Sequence, residues 1–438
     1  MFELGFYEKE ITPPLGLLIP GYFNERPAGD VVDRLYVKAA VIKSGGEKIA
    51  VAVVDCCSFR LWLHDIVMER IAKFSDLKPE NVMICADHTH TGGPIYSKGH
   101  PWGDEEYENY VCKLIADCVV LADKRLKKAS LSYGVGKVTS ISFVRDYVMK
   151  DGSFRTNPPR TSPEIDHPVT DIDPELPVLL AKDENGVPMG AITCFACHQD
   201  CVDQSNYSAD FSGSLAREMK KLYGPDFVNV FMLGTCGDIN HFDVSKPGDA
   251  PDHFVKMGRI VAGEEFKTAN EAAPLTGDGV ASVKDFVTVD RRYISPERLA
   301  EAKHIKATIK PAKNVKIAAD NTDPDQYALA MADITLKLAE LPEKIDVITQ
   351  TLRIGDLIIY GFSGEIYSCF GKRIKAETAA KHCIVATLCN DNVSGYIPSP
   401  DLFVPGIYEA VEGSANLVPE AGGIITDHLL EQGKKLLK

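Results

Sequence analysis

The sequence lacks the features that would place a chain in a membrane or on nucleic acid. No apolar run approaches the roughly 20 residues of a membrane-spanning helix. The first ten residues also lack the basic start and apolar core of a signal peptide. Basic residues number 48 against 62 acidic ones, a formal net charge of −14, which argues against nucleic-acid or anionic-membrane partners. We therefore expect a cytoplasmic protein with a small-molecule substrate, and the sequence leaves a homo-oligomer open.

Cysteine is present, but its distribution does not favour disulfides. Most of the 12 cysteines lie in apolar runs, where cysteine acts as a small hydrophobic residue. Without an export signal, we expect these thiols to be reduced. Cys194 and Cys197 have the spacing of a zinc or redox pair, but Cys194 falls inside a predicted strand. We therefore interpret this pair as part of the apolar core.

Apolar periodicity predicts strands that alternate with helices. Strands are expected at 35–42, 49–55 and 82–86, with helices between 62 and 74 and over 105–126. This order is typical of an α/β fold with mixed, largely parallel sheets flanked by helices. The length of 438 residues allows two or three average domains, or one large α/β domain with insertions.

The rest of the chain continues the pattern, with three features that stand apart. Further elements are expected as strands at 177–182, 191–197, 228–233, 357–362 and 384–389, and as helices at 212–223 and 365–379. Residues 131–136 resemble an edge strand, and 144–174 reads as a long irregular loop of the kind that often carries function. Charged helical segments within about 285–350 are interpreted as an insertion or a flanking layer.

Two histidines directly follow the predicted strand at 82–86. In extended backbone, residues two apart point to the same side, so His88 and His90 are expected to face one pocket. Histidine is the commonest protein ligand of zinc, and a catalytic zinc needs three protein ligands and an open position. The alternative is that both are loop histidines that bond to the backbone.

Four further predicted strands also end in residues with chemical capability. The residues that follow the five strands are His88 and His90, His198, Asp238 and Asn240, Glu365, and Tyr396. In α/β folds, ligands bind beyond the carboxyl ends of strands. Their convergence would supply metal ligands together with acid and base groups, so the pattern favours a hydrolase-like zinc site at the strand ends.

Short motifs in this order resemble the neutral/alkaline (non-lysosomal) ceramidase family of zinc-dependent amide hydrolases. The motifs are Ile11–Pro14, His88–Gly92, Arg145, Phe195–His198, Gly237–Asn240, Gly364–Glu365 with Arg373, Gly395–Tyr396 and Tyr408–Glu409. They span nearly the whole chain. The resemblance implies a ceramidase-like catalytic domain, without the immunoglobulin-like domain that follows it in the family.

The resemblance also implies a set of site residues. One zinc ion per chain would be bound by His88, His198, Glu365 and Tyr396. His90 and Arg145 would line the substrate site, where histidine can shuttle protons and arginine can hold an oxyanion. Taken alone, Glu365 at a helix start could instead complement the helix dipole, and a buried tyrosine commonly forms hydrogen bonds only.

One position departs from the family pattern. Asn240 stands where the family has a serine, and an amide can donate to an oxyanion but is a poor nucleophile. We therefore expect attack by zinc-bound water, with Asp238 orienting neighbouring donors. Because the chain is acidic and lacks an export signal, a small, polar amide or N-acyl compound is expected rather than ceramide. The loop at 147–174 is the expected source of selectivity.

Three alternatives to a zinc-dependent amidohydrolase remain open at this point. The same groups would also suit hydrolysis of an ester or lactone. Zinc and His90 would equally suit proton abstraction, as in a lyase or isomerase acting on a polyol or sugar acid. The third alternative is a metal-binding protein without catalytic activity.

Overall fold

The computed structural model describes residues 1–96, 98–202, 205–312 and 323–438. It confirms a mixed α/β fold in which mixed sheets are flanked by helices. None of the described helices is both long enough and apolar enough to cross a bilayer.

The described residues form the following strands and helices, numbered in chain order. The strands are β1 (Phe2–Glu10), β2 (Asp30–Val31), β3 (Tyr36–Ser44), β4 (Glu47–Val54), β5 (Val82–Ala86), β6 (Lys127–Lys137), β7 (Phe143–Val144), β8 (Asp146–Met149), β9 (Phe154–Thr156), β10 (Ile165–Pro168), β11 (Glu175–Asp183), β12 (Pro188–Phe195), β13 (Asn206–Tyr207), β14 (Val228–Leu233), β15 (Ile239–Asn240), β16 (Ala273–Pro274), β17 (Val280–Asp290), β18 (Lys344–Ile354), β19 (Leu357–Gly361), β20 (Glu365–Ile366), β21 (His382–Ala386) and β22 (Tyr396–Ile397). The helices are α1 (Leu61–Ile71), α2 (Glu105–Asp123), α3 (Asp210–Tyr223), α4 (His253–Glu271), α5 (Pro296–Thr308), α6 (Pro324–Glu340), α7 (Ser368–Glu377) and α8 (Ala421–Leu436).

Two sheets form the centre of the fold. The larger has nine strands in the order β14-β12-β11-β6-β1-β3-β4-β5, with β16 beside β6, and the smaller has the order β17-β18-β19-β21. The expectation of largely parallel pairing is wrong, because only β4–β5, β12–β14 and β19–β21 pair in parallel within these sheets. Tight connections such as the one at residues 45–46 join neighbouring strands as antiparallel hairpins instead.

The two sheets pack face to face between two layers of helices. Along β3 and β4, one set of alternate side chains, including Val37 and Ala52, packs against α1 and α2. The other set, including Ala40 and Val53, packs against Leu352 and other residues of the smaller sheet. The outer face of the smaller sheet packs against α7 and α8. Central strands are thus buried on both faces, which explains their continuous apolar sequences.

Strand β6 is central, and the prediction of an edge strand at 131–136 is wrong. It pairs with β11 along one side, and on the other side with β1 at residues 127–129 and with β16 at residues 132–133. Its glycines serve helix packing: a Cβ on Gly136 would collide with the Thr268 side chain of α4. The sparse apolar pattern reflects this close helix–sheet contact at the glycines together with partial solvent exposure, as at Val135.

Two other segments differ from expectation. The stretch 144–174 contains the three-stranded antiparallel sheet β10-β8-β9, whose strands have only three or four residues and are too short to show a period. In the predicted helical segment 285–350, both ends belong to the antiparallel strands β17 and β18, which α5 and α6 connect. Residues 313–322 of that segment lie outside the described residues.

Candidate metal centre

The candidate residues follow the strands that pair in parallel. His88 follows β5, His198 follows β12, and Asp238 follows β14, while β19 and β21 lead to Glu365 and Tyr396. The parallel pairs bring the carboxyl ends of β12 and β14, and of β19 and β21, to the same edge. The antiparallel strands between them form the scaffold. The prediction that the site residues follow strand ends therefore agrees with this placement.

The loop that carries His88 is fixed by the buried Asp87. Oδ1 of Asp87 accepts hydrogen bonds from the backbone N–H groups of Cys56 (3.1 Å) and Thr89 (3.2 Å), and Oδ2 accepts from Ser212 Oγ (2.8 Å). His88 itself has φ 72°, so the expected extended backbone is absent there. The chain turns at His88, and this turn brings its ring toward the other strand ends.

The tautomers of His88 and His198 follow from their backbone contacts. Nδ1 of His88 lies 2.6 Å from the carbonyl oxygen of Cys57. Nδ1 of His198 lies 2.9 Å from that of Cys236 and 3.0 Å from that of Ile239. Because carbonyl oxygens only accept hydrogen bonds, each Nδ1 carries a proton. Each Nε2 is thereby directed to the site as a potential ligand atom.

Glu365 reaches the site through a short parallel ladder. Strand β20 pairs with β22, and Glu365 lies directly beside Tyr396. Gly364, with φ 96°, permits this approach because a Cβ there would lie 2.8 Å from the carbonyl oxygen of Gly395. The prediction that Glu365 opens a helix is wrong, since α7 begins at Ser368. The alternative that Glu365 complements that helix dipole loses its basis.

The ligand atoms have the spacing of a metal site. Oε2 of Glu365 lies 3.2 Å from Nε2 of His88 and 3.6 Å from Nε2 of His198, and the Tyr396 hydroxyl lies 3.4 Å from Nε2 of His198. Ligands about 2.0–2.1 Å from a tetrahedral zinc lie roughly 3.3 Å apart. The donor set of two imidazoles, a carboxylate and a phenol oxygen therefore fits Zn²⁺.

The electrostatics of the cluster also favour a bound cation. Burial alone would raise the pKa of Glu365, but the two histidines outweigh burial and hold this pKa well below its usual value. Burial likewise opposes a charge on His88, yet Glu365 raises the pKa of His88 well above its usual value. A negative carboxylate buried among imidazole nitrogens is stabilised by a positive charge close to it. A proton on an imidazole or a bound metal ion can supply that charge.

A second set of potential ligands shares His88. Cys57, His88 and His90 also place one ligand atom each within 4.8 Å of the others. Sγ of Cys57, however, lies 3.9 Å from Nδ1 of His88, which already donates to the Cys57 carbonyl oxygen. This set therefore competes with the first for His88 and lacks a carboxylate.

Comparison with known proteins agrees with the motifs of this site. The family model described as neutral/alkaline non-lysosomal ceramidase, N-terminal, matches residues 2–241, more than half of the chain. The chain belongs to the neutral/alkaline non-lysosomal ceramidase family. The predicted resemblance is thereby confirmed, and His88, Arg145, His198 and Asn240 all fall within the matched part of this ceramidase-family chain.

Two curated neutral ceramidases are similar to the chain over part of their length. The protein from Pseudomonas aeruginosa is 26% identical over 320 residues, which cover 68% of this chain and 46% of the relative. Neutral ceramidase B from Dictyostelium discoideum is 26% identical over 240 residues, 50% of this chain and 32% of the relative. The chain thus matches less than half the length of these curated relatives.

Solved ceramidase structures share the fold. The crystal structure of neutral ceramidase from Pseudomonas aeruginosa superposes with a TM-score of 0.75 at 19% identity, covering 99% of this chain and 74% of the other. A ceramidase complexed with C2 superposes with a TM-score of 0.76 at 19% identity, covering 100% and 75%. At this identity, the likeness establishes the architecture.

In the ceramidase-family site, Arg145 lies against the candidate metal ligands. Its Nη1 lies 3.4 Å from Nε2 of His198, and its guanidinium lies 5.0 Å from the centre of the Tyr396 ring. Burial opposes the positive charge of Arg145, but an ion pair with Glu409 outweighs burial and raises the pKa of Arg145 well above its usual value. Arg145 is therefore a permanent cation beside the candidate metal ligands.

His90 lies beside the candidate metal ligands. Its Nε2 lies 3.2 Å from Nε2 of His88, and its ring contacts that of Tyr22 edge-on. Burial and the neighbouring His88 and His198 lower the pKa of His90 well below its usual value. Gly21 leaves room for this ring, because a Cβ there would lie 2.8 Å from Nδ1 of His90. The two rings are in contact as expected, but only His90 lines the adjoining cavity.

A cavity of about 260 Å³ adjoins the candidate metal ligands. Its lining includes His90, Arg145, His198, Asn240 and Tyr396, together with Tyr22, Phe23, Asn157, Arg160, Asp200, Phe242 and Tyr408. Most of the predicted site residues therefore meet at one cavity. Their individual roles stay predictions.

Asp238 occupies a different position from the other predicted site residues. Both of its carboxylate oxygens accept hydrogen bonds from Ser368, one from the backbone N–H and one from the hydroxyl, each at 2.7 Å. Asp238 does not line the cavity. Its backbone carbonyl accepts from the N–H of Arg145 at 3.0 Å, so Asp238 joins the start of α7 to the Arg145 segment.

Sequence reasoning missed several residues that surround Arg145. Asp146, Thr156 and Tyr367 form a buried hydrogen-bonded group with Glu409, in which Tyr367 donates to Asp146 Oδ2 at 2.7 Å and Thr156 donates to Asp146 Oδ1 at 2.6 Å. Asn157 was also missed, although it lines the cavity. All but Glu409 lie outside the motifs, and their positions carry no periodic signal.

Proposed function

We propose that this protein is a zinc-dependent amidohydrolase that cleaves a non-peptide N-acyl bond. The observation that carries the proposal is the convergence of Nε2 of His88, Nε2 of His198 and Oε2 of Glu365 on one point beside a cavity. Membership in the ceramidase family and the ceramidase relatives support an amide substrate.

His88, His198, Glu365 and Tyr396 would hold the ion in this proposal. A bound Zn²⁺ supplies Lewis acidity toward the amide carbonyl at this place. Arg145 stabilises the negative charge that develops on the carbonyl oxygen, because a fixed cation in a buried site requires no reorganisation during the reaction. Glu409 keeps Arg145 in this orientation through its ion pair.

His90 is assigned proton transfer. Its Nε2 faces the metal ligands, and its Nδ1 is buried without a hydrogen-bond partner among the described residues. His90 can therefore accept a proton from water and then donate it to the amine nitrogen that leaves. Hydrolysis adds one water molecule across the C–N bond and yields a carboxylic acid and an amine. Asn240 lines the same cavity and binds the substrate rather than attacking it.

The test compares metal content and turnover in matched histidine variants. His198→Ala removes a proposed ligand, whereas His167→Ala removes an exposed histidine of β10 that pairs with Asp166. Elemental analysis is expected to find one zinc per chain in the wild type and in His167→Ala, and none in His198→Ala. Amine release is measured with a panel of N-acyl compounds, and ester and lactone analogues are tested alongside. We expect amine release in the two proteins that contain zinc and none in His198→Ala. Amine release that survives chelation of the metal would overturn the proposal.

A further inference from the structure

Two asparagine side chains form a hydrogen-bonded pair on the wall of the cavity. Nδ2 of Asn240 donates to Oδ1 of Asn157 at 2.6 Å. Asn240 belongs to β15, and Asn157 directly follows β9 in a segment that sequence analysis described as irregular. Both residues line the cavity beside Arg145.

The position of Asn157 is built into the fold. Its φ is 48°, in the left-handed region, which asparagine enters more readily than most residues. Its backbone N–H donates to the carbonyl oxygen of Arg145 at 2.7 Å. The hydroxyl of the preceding Thr156 donates to Asp146 and lies 3.0 Å from Oε2 of Glu409. An unusual backbone conformation held by buried partners beside a reactive group points to a functional residue.

The two amides have hydrogen-bond donors and acceptors that remain available to a ligand. Each asparagine amide has an NH₂ group with two donors and an oxygen that accepts. The mutual bond uses one N–H of Asn240, and leaves its second N–H, both N–H groups of Asn157 and the oxygen of Asn240 without another bond among the described residues. Rotating both amides by 180° would exchange the roles of the two residues and again leave N–H donors together with an oxygen acceptor. The pair therefore offers both donors and an acceptor at the cavity wall.

A hydroxyl group matches this arrangement, because it donates and accepts at the same oxygen. A carboxylate would oppose the acceptor, and an alkyl chain would leave both polar groups unpaired, which costs affinity. The cavity volume of about 260 Å³ lies at the low end for ligand sites. The aromatic rings of Tyr22, Phe242 and Tyr408 add flat apolar surface around it.

We infer that Asn157 and Asn240 bind a hydroxyl group close to the scissile amide, and that the substrate is a compact hydroxylated amide such as an N-acylated amino sugar or amino polyol. The inference rests on the proposed function, since Arg145 and His198 line the same cavity. It makes Asn157 a specificity-determining residue. A hydroxylated lipid amide shares the hydroxyl chemistry but not the compact size.

Three probes separate these sources of hydroxyl groups. N-acetyl-D-glucosamine offers a hydroxylated ring, N-cyclohexylacetamide offers a ring of the same size without hydroxyls, and N-acetylsphingosine offers a hydroxylated lipid. Binding is measured by titration calorimetry and amine release is measured in parallel, both with the zinc-loaded full chain. Asn157→Gly removes the amide and retains access to the left-handed backbone. Thr161→Gly is the matched control, because Thr161 has φ 60° in the same segment and does not line the cavity.

The sugar amide is expected to bind at least about tenfold more tightly than the cyclohexyl amide, as one or two added hydrogen bonds imply. Asn157→Gly is expected to remove most of this preference, and Thr161→Gly to keep it. Equal binding of the two ring amides, equal loss for both in Asn157→Gly, or a preference for the lipid would each overturn the inference. A hydroxyl preference in binding without amine release from any probe would overturn the proposed hydrolysis and support the binding role of Asn157.

Discussion

Glu409 forms a buried ion pair with Arg145. The hydroxyls of Thr156 and Tyr367, which donate to Asp146, lie 3.0 Å and 3.3 Å from Oε2 of the same carboxylate. Arg145 in turn lies 3.4 Å from Nε2 of His198. Glu409 therefore sets the orientation of the cation beside the candidate metal ligands without touching those ligands itself.

Replacement of Glu409 by glutamine is expected to lower turnover and spare the metal. The amide keeps the shape of the side chain but cannot form the ion pair, so Arg145 loses its fixed orientation. Groups that orient metal-site residues typically contribute about 10–100-fold in activity, and we expect a loss of kcat in that range with one zinc retained. Glu412→Gln, which weakens a contact with Arg292 at 3.4 Å, is the control. Wild-type kcat in Glu409→Gln would contradict the positioning role.

The two overlapping sets of ligands make opposite predictions for metal binding. Glu365→Gln removes the carboxylate of the proposed set, and Cys57→Ser removes the thiol of the competing set. We expect Glu365→Gln to lose zinc and Cys57→Ser to keep one zinc per chain, as measured by elemental analysis after dialysis. Loss of zinc in Cys57→Ser with retention in Glu365→Gln would assign the ion to the other set.

Substitution of Gly237 tests the position of β20 without changing any candidate ligand. A Cβ on Gly237 would lie 2.6 Å from the backbone carbonyl oxygen of Glu365, so Gly237→Ala is expected to displace β20. Such overpacking costs about 1–3 kcal/mol, and we expect weaker zinc binding together with a lower free energy of unfolding.

Gly263→Ala is the matched control for that variant. Gly263 lies within α4, and a Cβ there meets no atom within 4 Å. Alanine in a helix interior is favoured over glycine by about 0.5–1 kcal/mol. The control is therefore expected to raise the free energy of unfolding in urea titrations and leave zinc affinity unchanged. Equal zinc affinity in both variants would show that β20 tolerates the shift.

A buried carboxyl away from the site predicts a pH-dependent stability. Burial raises the pKa of Glu265 to about 7, although Asn229 donates a hydrogen bond to it at 2.5 Å. Because this pKa is higher in the folded than in the unfolded protein, the folded state binds the proton more tightly. Stability from this group is present below pH 4.5 and is lost as the pH rises through about 7.

Glu265→Gln is expected to remove that loss. At pH 8 the variant should be more stable than the wild type by about 3 kcal/mol, from 1.36 kcal/mol per pKa unit, and at pH 4 the two should be similar. Urea unfolding at both pH values measures this difference. Glu264→Gln changes the neighbouring residue, which pairs with Lys267 on the surface, and should show little change. The same difference in unfolding free energy between the wild type and Glu265→Gln at both pH values would contradict the raised pKa.

Candidate residues that follow long buried strands could be located from the sequence. His88 and His198 follow strands with continuous apolar sequences, and their place beyond those strands could be predicted from that pattern alone. The direction of strand pairing could not be predicted in the same way. A strand buried on both faces has the same continuous apolar pattern whether its neighbours are parallel or antiparallel. The excess of antiparallel pairs therefore emerged only from the structure.

The parts of the site that could not be predicted depend on contacts between distant segments. Asn157 follows a strand of three residues, which is too short for periodicity, and its partner Asn240 is 83 positions away. Glu365 was placed at a helix start because the two-residue ladder with Tyr396 has no sequence signature. Thr156 and Tyr367 are likewise connected through Glu409 only in three dimensions.

The separation of the candidate ligands along the chain has a consequence for how the site is assembled during synthesis. His88 and His198 leave the ribosome first, and Glu365 follows His198 by 167 residues. At translation rates of about 5–20 residues per second, this interval lasts roughly 8–33 s. Throughout that time the two imidazoles lack the carboxylate of Glu365. The candidate ligand set of His88, His198 and Glu365 is therefore complete only after the strands that lead to Glu365 have been synthesised.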